Sequence, residues 1–184
     1  DGANTGLGDE MITAQVDRDF STSNNWTLVN ASGSATFATS GGKLEATTST
    51  TSDYVVLTDG NVDDLIAGVT YRYQFDLSNV SGGTITLELD TGLEIATGLT
   101  DGTGQVIYHT GTSGNALNGE TRFMPSSSSM SYKIDNISIK PVNNKNHATT
   151  VFYGDELNTQ ANAVTPEHSS ASQADDYANW TNVG

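Results

Sequence analysis

A stretch near the middle of the chain alternates strictly between apolar and polar residues, and this limits what the chain can fold into. Within residues 69–77 the apolar positions are Val69, Tyr71, Tyr73, Phe75 and Leu77. Because the side chains of a β-strand point alternately to its two faces, the pattern predicts a strand with one face in a core and the other in solvent. Half-buried strands of this kind are typical of antiparallel sheets.

Short runs of strand-forming residues recur along the chain, with clusters of Gly, Asn, Asp and Ser between them. Ser40-Gly41-Gly42 between two such runs predicts a hairpin. In residues 131–141 the apolar face switches midway, which predicts a β-bulge near Asp135-Asn136. Short strands with turns at this spacing indicate a sandwich or a barrel. The other predicted strands are residues 11–16, 26–29, 35–37, 43–47, 53–57, 84–89, 105–109 and 120–124.

The remaining segments are expected to be a helix and two connecting regions. One short helix is predicted at residues 61–67, because Asn61 can cap it and two aspartates follow in its first turn. Residues 1–10 are Gly-rich and polar, as in a flexible lead-in, and residues 143–150 have the composition of a linker. The folded domain is therefore expected at residues 11–142.

The chain is strongly acidic, since 7 Lys and Arg residues face 22 Asp and Glu residues, for a formal net charge of −15. Nucleic acids are bound mainly through Lys and Arg, so the charge argues against nucleic acid as a partner. A surface rich in carboxylates is soluble and suits hard cations such as Ca²⁺. There is no Cys and no run of 18 apolar residues, so neither disulfides nor membrane insertion is expected.

The common catalytic motifs are absent from the sequence, which has no G-x-S-x-G, H-E-x-x-H or G-x-x-x-x-G-K-[ST]. No Cys is available as a nucleophile. Asp63, Asp64, Glu88, Asp90 and Glu94 are carboxylates of the type that glycoside hydrolysis uses, but each has a context that explains it as solvent-facing or helix N-terminal. We therefore expect a protein that is not an enzyme.

Two short motifs occur twice, in the same order. Gly8-Asp9-Glu10-Met11 recurs as Gly154-Asp155-Glu156-Leu157, and Asn25-Trp26-Thr27 recurs as Asn179-Trp180-Thr181. Residues 151–184 are interpreted as the start of a second repeat or as an extended assembly arm, with coincidence as the alternative. The predicted assembly segment comprises Val151, Phe152, Tyr153 and Leu157.

Further motifs follow an order that is found in a known class of modules. Val16-Asp17-Arg18-Asp19-Phe20 precedes Asn25-Trp26-Thr27, Gly41-Gly42-Lys43-Leu44 follows, and the last strand contains Ile134-Asp135-Asn136-Ile137-Ser138-Ile139. In this order the chain resembles the carbohydrate-binding-module-like jelly rolls of the galactose-binding-like class. The resemblance implies an antiparallel jelly-roll β-sandwich, as found in tail-fibre and other structural proteins of tailed phages and in secreted bacterial proteins.

The resemblance also implies a structural Ca²⁺ between the first motif and the last strand. Asp19 and Asp135 are the matching carboxylates. The first motif of this class usually reads Asn-Gly-Asp-Phe-Glu, and this chain lacks the Gly and the Glu. Ca²⁺ takes about six to eight oxygen ligands, and the sequence identifies fewer.

Sugar binding depends on exposed aromatic rings, against which the C–H faces of sugars stack. Tyr54, Tyr108 and Tyr132 lie outside the clear core stripe and are the predicted ligand-binding residues, and Phe123 is a further ring of this kind. Trp26 is expected in the core or at the edge of the sandwich.

Two functions fit these observations. The favoured one is a non-catalytic structural or assembly module of an extracellular filament or a phage virion, with copies of itself or neighbouring subunits as partners. The alternative is a carbohydrate-binding module of a secreted or surface protein, with glycans as partners. An extracellular or virion location is expected in either case.

Overall fold

The computed structural model describes residues 6–21, 23–89, 92–112 and 119–142. The unit to which these residues belong ends at Val142. The predicted linker and the predicted second repeat or assembly arm lie outside the described residues, as do Val151, Phe152, Tyr153 and Leu157.

One helical turn and ten strands make up the described part of the chain. The turn, α1, is Val16–Asp19. The strands are β1 Thr27–Val29, β2 Thr36–Ser40, β3 Lys43–Thr47, β4 Tyr54–Leu57, β5 Thr70–Ser81, β6 Ile85–Leu89, β7 Leu93–Leu99, β8 Gly102–Thr110, β9 Thr121–Pro125 and β10 Ser131–Pro141.

The strands form two antiparallel sheets of five strands each. The strand order is β1-β4-β9-β6-β7 in the first sheet and β2-β3-β10-β5-β8 in the second. From β3 to β10 every connection crosses between the sheets except the one from β6 to β7. This order is that of an eight-stranded jelly roll, with β1 and β2 added at the edges. The predicted antiparallel jelly-roll β-sandwich is therefore confirmed.

The alternating stretch forms β5, and its apolar residues face the core as predicted. Tyr71, Tyr73, Phe75 and Leu77 are all buried, while the polar residues between them are only partly covered. The predicted hairpin is also present, because β2 and β3 pair across Gly41 and Gly42, both of which have positive φ angles. A two-residue hairpin loop that needs positive φ at both positions favours glycine.

The predicted β-bulge in the last strand is confirmed. The register between β10 and β5 shifts between Asp135 and Ser138, and Asn136 has a φ of 51°. The extra residue allows Ile134 on one side of the bulge and Ile137 on the other to be buried in the same core.

Two predicted elements are wrong, and one cause explains both. Residues 11–16 do not form a strand and residues 61–67 do not form a helix, because the two segments pair with each other through a single antiparallel bridge between Ile12 and Val62. The Asp63 amide donates to the Met11 carbonyl at 2.9 Å. Because both bridge residues are buried, this pairing covers apolar surface that an isolated helical turn would leave in water.

The segment before α1 is attached to the last strand. β3 pairs with β10 only as far as Ile134, and beyond that point the N-terminal segment takes its place. Leu7 bridges Val142, and the Met11 amide donates to the Ile139 carbonyl at 2.8 Å. The part of the predicted lead-in that the structure describes, residues 6–10, therefore lies along β10.

Four aromatic side chains connect the two sheets through the core. The ring centroids of Trp26 lie 6.0 Å from those of Phe20 and 5.9 Å from those of Phe123, and Phe75 meets Phe123 edge-on at 5.3 Å. The Trp26 indole N–H donates to the Asp17 carbonyl at 2.8 Å. The prediction that Trp26 belongs to the core is confirmed, since it is 3% exposed.

Candidate functional site on the outer face of the first sheet

The outer face of the first sheet carries an ionisable cluster that follows from strand alternation. Val55, Phe123 and Leu87 are buried between the sheets. Their chain neighbours on β4, β9 and β6 therefore point to the opposite, solvent-side face. We call the aromatic and charged residues on this side the Arg122 face, and it comprises Tyr54, Glu88, Glu94, Glu120 and Arg122. Val56 lies on the same side but is covered, with only 4% of its surface exposed.

The strand register places one row of these residues side by side. Arg122 on β9 lies opposite Val56 on β4 and opposite Glu88 on β6. Glu88 in turn lies opposite Glu94 on β7. Directly opposed residues in an antiparallel pair have side-chain bases about 5 Å apart, so Arg122, Glu88 and Glu94 form a continuous polar strip across three strands, β9, β6 and β7.

Arg122 connects the strip to the aromatic ring of Tyr54. Its guanidinium lies 5.3 Å from the centre of the Tyr54 ring and forms an ion pair with Glu120. The side chains of Arg122 and Glu120 are only 13% and 17% exposed, which is low for charged groups on the outside of a sheet. These charged groups are therefore largely buried, and hydrogen bonds and ion pairs are stronger there than in open water.

Burial and neighbouring charge both affect Glu88. Partial burial raises the pKa of Glu88, and the negative charge of Glu94 raises it further, while Arg122 acts in the opposite direction. With three glutamates against one arginine, the Arg122 face offers many hydrogen-bond acceptors and repels anions.

The structure separates the three tyrosines that the sequence predicts to bind ligand. Tyr54 lies on the Arg122 face, and Tyr108 lies on β8 in the other sheet with 62% of its surface exposed. The prediction for Tyr132 is wrong, because its ring is 1% exposed and its hydroxyl donates to the Phe123 carbonyl at 3.1 Å. Alternation at the start of β10 points Tyr132 inward, beside Ile134. Phe123 is buried as well.

The two carboxylates of the predicted calcium site have protein partners. Asp19 accepts hydrogen bonds from the Ser21 amide at 3.0 Å and the Ser21 hydroxyl at 2.7 Å, and these bonds lower the pKa of Asp19. Asp135 lies 3.8 Å from the Lys43 ammonium. Within the described ranges, no group of three or more His, Cys, Asp or Glu side chains is arranged to hold a metal ion. Calcium at Asp19 and Asp135 stays a prediction.

A cleft beside α1 does bring the first motif close to the last strand. It is lined by Gln15, Arg18 and Asp19 from one side and by Asn136 and Ser138 from the other. Glu10 lies in the same cleft, where its carboxylate accepts from the Ile139 amide at 2.7 Å and the Ser138 hydroxyl at 2.6 Å. Glu10 thus fixes the N-terminal segment to the bulged strand.

Sequence reasoning missed Arg122 and Glu120 as candidate site residues. The signal was present, because Glu120, Arg122 and Met124 alternate with Thr121 and Phe123 in a predicted strand. What the sequence could not supply was the neighbour across the sheet, since β9 pairs with β4 and β6, which are distant along the chain.

Comparisons with known proteins found matches among solved structures alone. No family model matches the sequence, and neither does any curated protein. Solved structures do match, and they include carbohydrate-binding modules and a phage tailspike.

The first is the N-terminal part of an endo-1,4-beta-D-xylanase from Clostridium thermocellum, complexed with xylohexaose, at 18% identity and a TM-score of 0.44, covering 64% of this chain and 26% of that one. A variant of a family 29 carbohydrate-binding module complexed with mannohexaose matches at 12% identity and a TM-score of 0.47, covering 65% of this chain and 82% of that one. The enzymatically active domain of a bacteriophage CBA120 tailspike protein matches at 17% identity and a TM-score of 0.44, covering 71% of this chain and 21% of that one.

This chain therefore spans about a quarter of the xylanase structure. Similarity at this level says nothing about ligands, and the jelly-roll assignment stands on the strand order itself. In the part of the chain that the structure describes, no helix is long and apolar enough to cross a membrane.

Proposed function

We propose that this chain is a carbohydrate-binding module of an extracellular protein and that it binds a neutral glycan on the Arg122 face. The observation that carries the proposal is the pairing of the Tyr54 ring with the Arg122 guanidinium at 5.3 Å, beside a strip of carboxylates. A ring supplies an apolar surface for the C–H face of a sugar, and the charged groups supply strong hydrogen bonds to its hydroxyls.

Each residue of the Arg122 face has a distinct role in this proposal. Arg122 packs against one side of the Tyr54 ring and limits its rotation, which reduces the entropy lost on binding. The carboxylates of Glu88 and Glu94 accept hydrogen bonds from sugar hydroxyls. The excess of negative charge disfavours a ligand that is itself anionic, so a neutral glycan is the expected class.

The test is calorimetric titration of wild type with neutral oligosaccharides, for which hexaoses of β-1,4-linked glucose, mannose and xylose serve as probes. We expect at least one to bind and Tyr54→Ala to weaken that binding by tenfold or more, while Tyr54→Phe keeps it. Tyr108→Ala is the matched control, because it removes a ring from the other sheet. The proposal fails if none of the probes binds, or if Tyr54→Ala binds as wild type does.

We further propose that the module binds without catalysis. In this proposal the carboxylates of Glu88 and Glu94 serve as hydrogen-bond acceptors for sugar hydroxyls and not as an acid and a base. A reducing-end assay on the bound oligosaccharide would then detect no cleavage, and release of reducing ends that Glu88→Gln abolishes would contradict this.

The structural or virion role predicted from the sequence depended mainly on residues 143–184, which lie outside the described residues. It stays a prediction, and no described contact favours it over sugar binding.

A further inference from the structure

The outer face of the second sheet concentrates the few basic residues of this acidic chain. Alternation on β3, β5 and β10 puts Lys43, Arg72, Lys133 and Lys140 on the solvent side, because their neighbours Leu44, Tyr73, Ile134 and Ile139 are buried. These are four of the 7 Lys and Arg residues in the sequence. The same alternation puts Glu45, Asp76 and Asp135 on this side, so it carries four basic and three acidic residues, whereas the Arg122 face carries one arginine and three glutamates.

Two of these basic residues are neutralised and two are not. Lys43 pairs with Asp135 at 3.8 Å, and Lys133 pairs with Glu45 at 2.5 Å. Arg72 and Lys140 lie directly opposite each other on β5 and β10, and neither has an ion pair within the described ranges. Like charges that face each other across a strand pair are destabilising, so this arrangement costs stability in a chain with 22 acidic residues available to relieve it.

An exposed ring completes the row. Tyr108 on β8 lies opposite Arg72, on the side away from Lys140, and is 62% exposed. Neighbouring strands are about 4.8 Å apart, so the row Tyr108, Arg72, Lys140 spans about 10 Å. The next row along β5 adds Gln74 and Ser138, which also lie opposite each other. We call these five residues the Arg72 face.

We infer that the Arg72 face binds a glycan that carries carboxylates, that is, a chain of uronate sugars. The guanidinium of Arg72 matches the two oxygens of a carboxylate, and Lys140 beside it adds a second positive charge. The Tyr108 ring offers a stacking surface next to that carboxylate. The Gln74 amide offers partners for hydroxyls, and the Ser138 oxygen, whose hydrogen is donated to Glu10, offers an acceptor. The inference extends the proposed function to a second surface that shares no residue with the first.

The charge of the whole molecule does not prevent this. A net charge of −15 repels a polyanion at long range. At an ionic strength of about 0.1 M, however, charges are screened beyond about 10 Å, so a bound carboxylate senses mainly the charges beside the row. These are Arg72, Lys140 and the carboxylates of Glu10 and Asp19, which line one cleft with Lys140, and Glu10 is paired with Arg18 at 3.8 Å. An acidic segment of a second copy of this chain would meet the same charges, but it would leave the exposed Tyr108 ring without a role.

The experiment is calorimetric titration with hexamers of galacturonate, glucuronate and mannuronate, and with the methyl ester of each. We expect wild type to bind at least one acidic hexamer and not its ester. Arg72→Gln combined with Lys140→Gln should weaken that binding at least tenfold, and Tyr108→Ala should weaken it at least fivefold. Lys133→Gln is the matched control, because Lys133 lies on the same side of the sheet but its charge is already neutralised by Glu45. Tyr54→Ala controls for the Arg122 face.

Several results would overturn the inference: no binding of any acidic hexamer, equal binding of the acid and its ester, or a loss of affinity in Lys133→Gln as large as that in the Arg72→Gln, Lys140→Gln double variant. Self-association of wild type in sedimentation velocity that the double variant abolishes, without uronate binding, would assign the face to a second copy instead. Thermal melting of each variant shows whether it remains folded. Because Tyr54→Ala tests the other face, failure here leaves the neutral-glycan proposal standing.

Discussion

Single buried carboxylates organise the loops of this protein. Asp53 is fully buried, and its carboxylate accepts backbone hydrogen bonds from Ser32 at 2.8 Å, Ser49 at 2.8 Å and Thr50 at 2.9 Å. Asp17 is also buried and accepts from both the backbone amide and the side-chain amide of Asn25. A carboxylate that collects several N–H donors fixes a loop that has no regular structure of its own.

The position of Asp53 predicts a specific dependence of stability on pH. Burial alone would raise the pKa of Asp53, but the amides of Ser32, Ser49 and Thr50 hold it well below the usual value of 3.8. A carboxyl group whose pKa is depressed by folding stabilises the fold above its unfolded-state pKa, and this contribution is lost as the pH falls towards the folded-state pKa. Asp53→Asn should therefore lower the melting temperature at pH 7 and pH 5 alike, and the difference from wild type should narrow below about pH 4.

Melting curves between pH 2 and pH 7 would measure that difference. Asp64→Asn is the control, because Asp64 is exposed and has no hydrogen bond within the described ranges. A difference between wild type and Asp53→Asn that stays constant down to pH 2 would contradict the assignment.

Folding should shift the pKa of Glu88 upward, in the opposite direction from the pKa of Asp53. Burial raises the pKa of Glu88 above 4.5, and the charge of Glu94 adds to that effect. A carboxyl pKa that folding raises favours the folded state below the unfolded-state pKa and disfavours it as the pH rises through the folded-state value. An NMR titration should place the Glu88 pKa above 4.5, and Glu94→Gln should lower it without restoring the ordinary value, because burial is the larger cause. Glu45→Gln on the other sheet should leave the titration unchanged, and a Glu94→Gln variant with an unaltered Glu88 pKa would refute the coupling.

At the scale of elements, alternation was the reliable signal, and it worked where one face of a strand is buried. It predicted β3 and β10 with the bounds that the structure has, and β5 to within a few residues of its ends. It missed β7, whose pairing with β6 contains two register shifts, so its apolar residues do not fall on one face in sequence.

The segments 11–16 and 61–67 were wrongly predicted for a different reason, because each takes its conformation from the other across the chain. Tyr54 can be predicted from the sequence as a candidate ligand-binding residue, whereas its contact with Arg122 depends on the β4–β9 register, which no local pattern encodes.

The bulge in β10 gives a prediction about backbone strain. Asn136 has a φ of 51°, a conformation that Asn tolerates and that a β-branched residue strongly disfavours. Asn136→Val should therefore destabilise the protein by about 1–2 kcal/mol. Asn136→Gly should cost less, because glycine adopts this φ freely, even though the hydrogen bond from the Asn136 side chain to Asp76 at 2.8 Å is lost.

Urea unfolding would measure the two bulge variants. Thr39→Val is the control, since Thr39 is exposed in the ordinary strand backbone of β2, and its effect should stay within about 0.5 kcal/mol. Equal destabilisation by Asn136→Val and Asn136→Gly would show that the Asp76 hydrogen bond, and not the backbone angle, is what matters at the bulge.

At the scale of the whole molecule, the sandwich separates two surfaces of opposite character. The Arg122 face belongs to the sheet of β4, β9, β6 and β7, and the Arg72 face belongs to the sheet of β10, β5 and β8. Between them lies a closely packed core that includes Phe75 and Phe123, whose rings meet at 5.3 Å. Packed sheets are about 10 Å apart, so a group bound on one outer face is well beyond contact with the other.

This separation predicts that the two faces bind their ligands independently. Groups that are more than about 10 Å apart and share no partner contribute almost additively to a free energy. Saturating the protein with the neutral hexaose that it binds should therefore change its affinity for an acidic hexamer by less than about twofold, because about 0.4 kcal/mol is the scale of residual coupling at such distances. Calorimetric titration of the acidic hexamer into the free protein and into the hexaose-saturated protein measures this directly. If the neutral hexaose displaced the acidic hexamer, both ligands would share a single site. Titrating Tyr54→Ala and the Arg72→Gln, Lys140→Gln double variant would then show which face holds that site, because the two variants alter different faces.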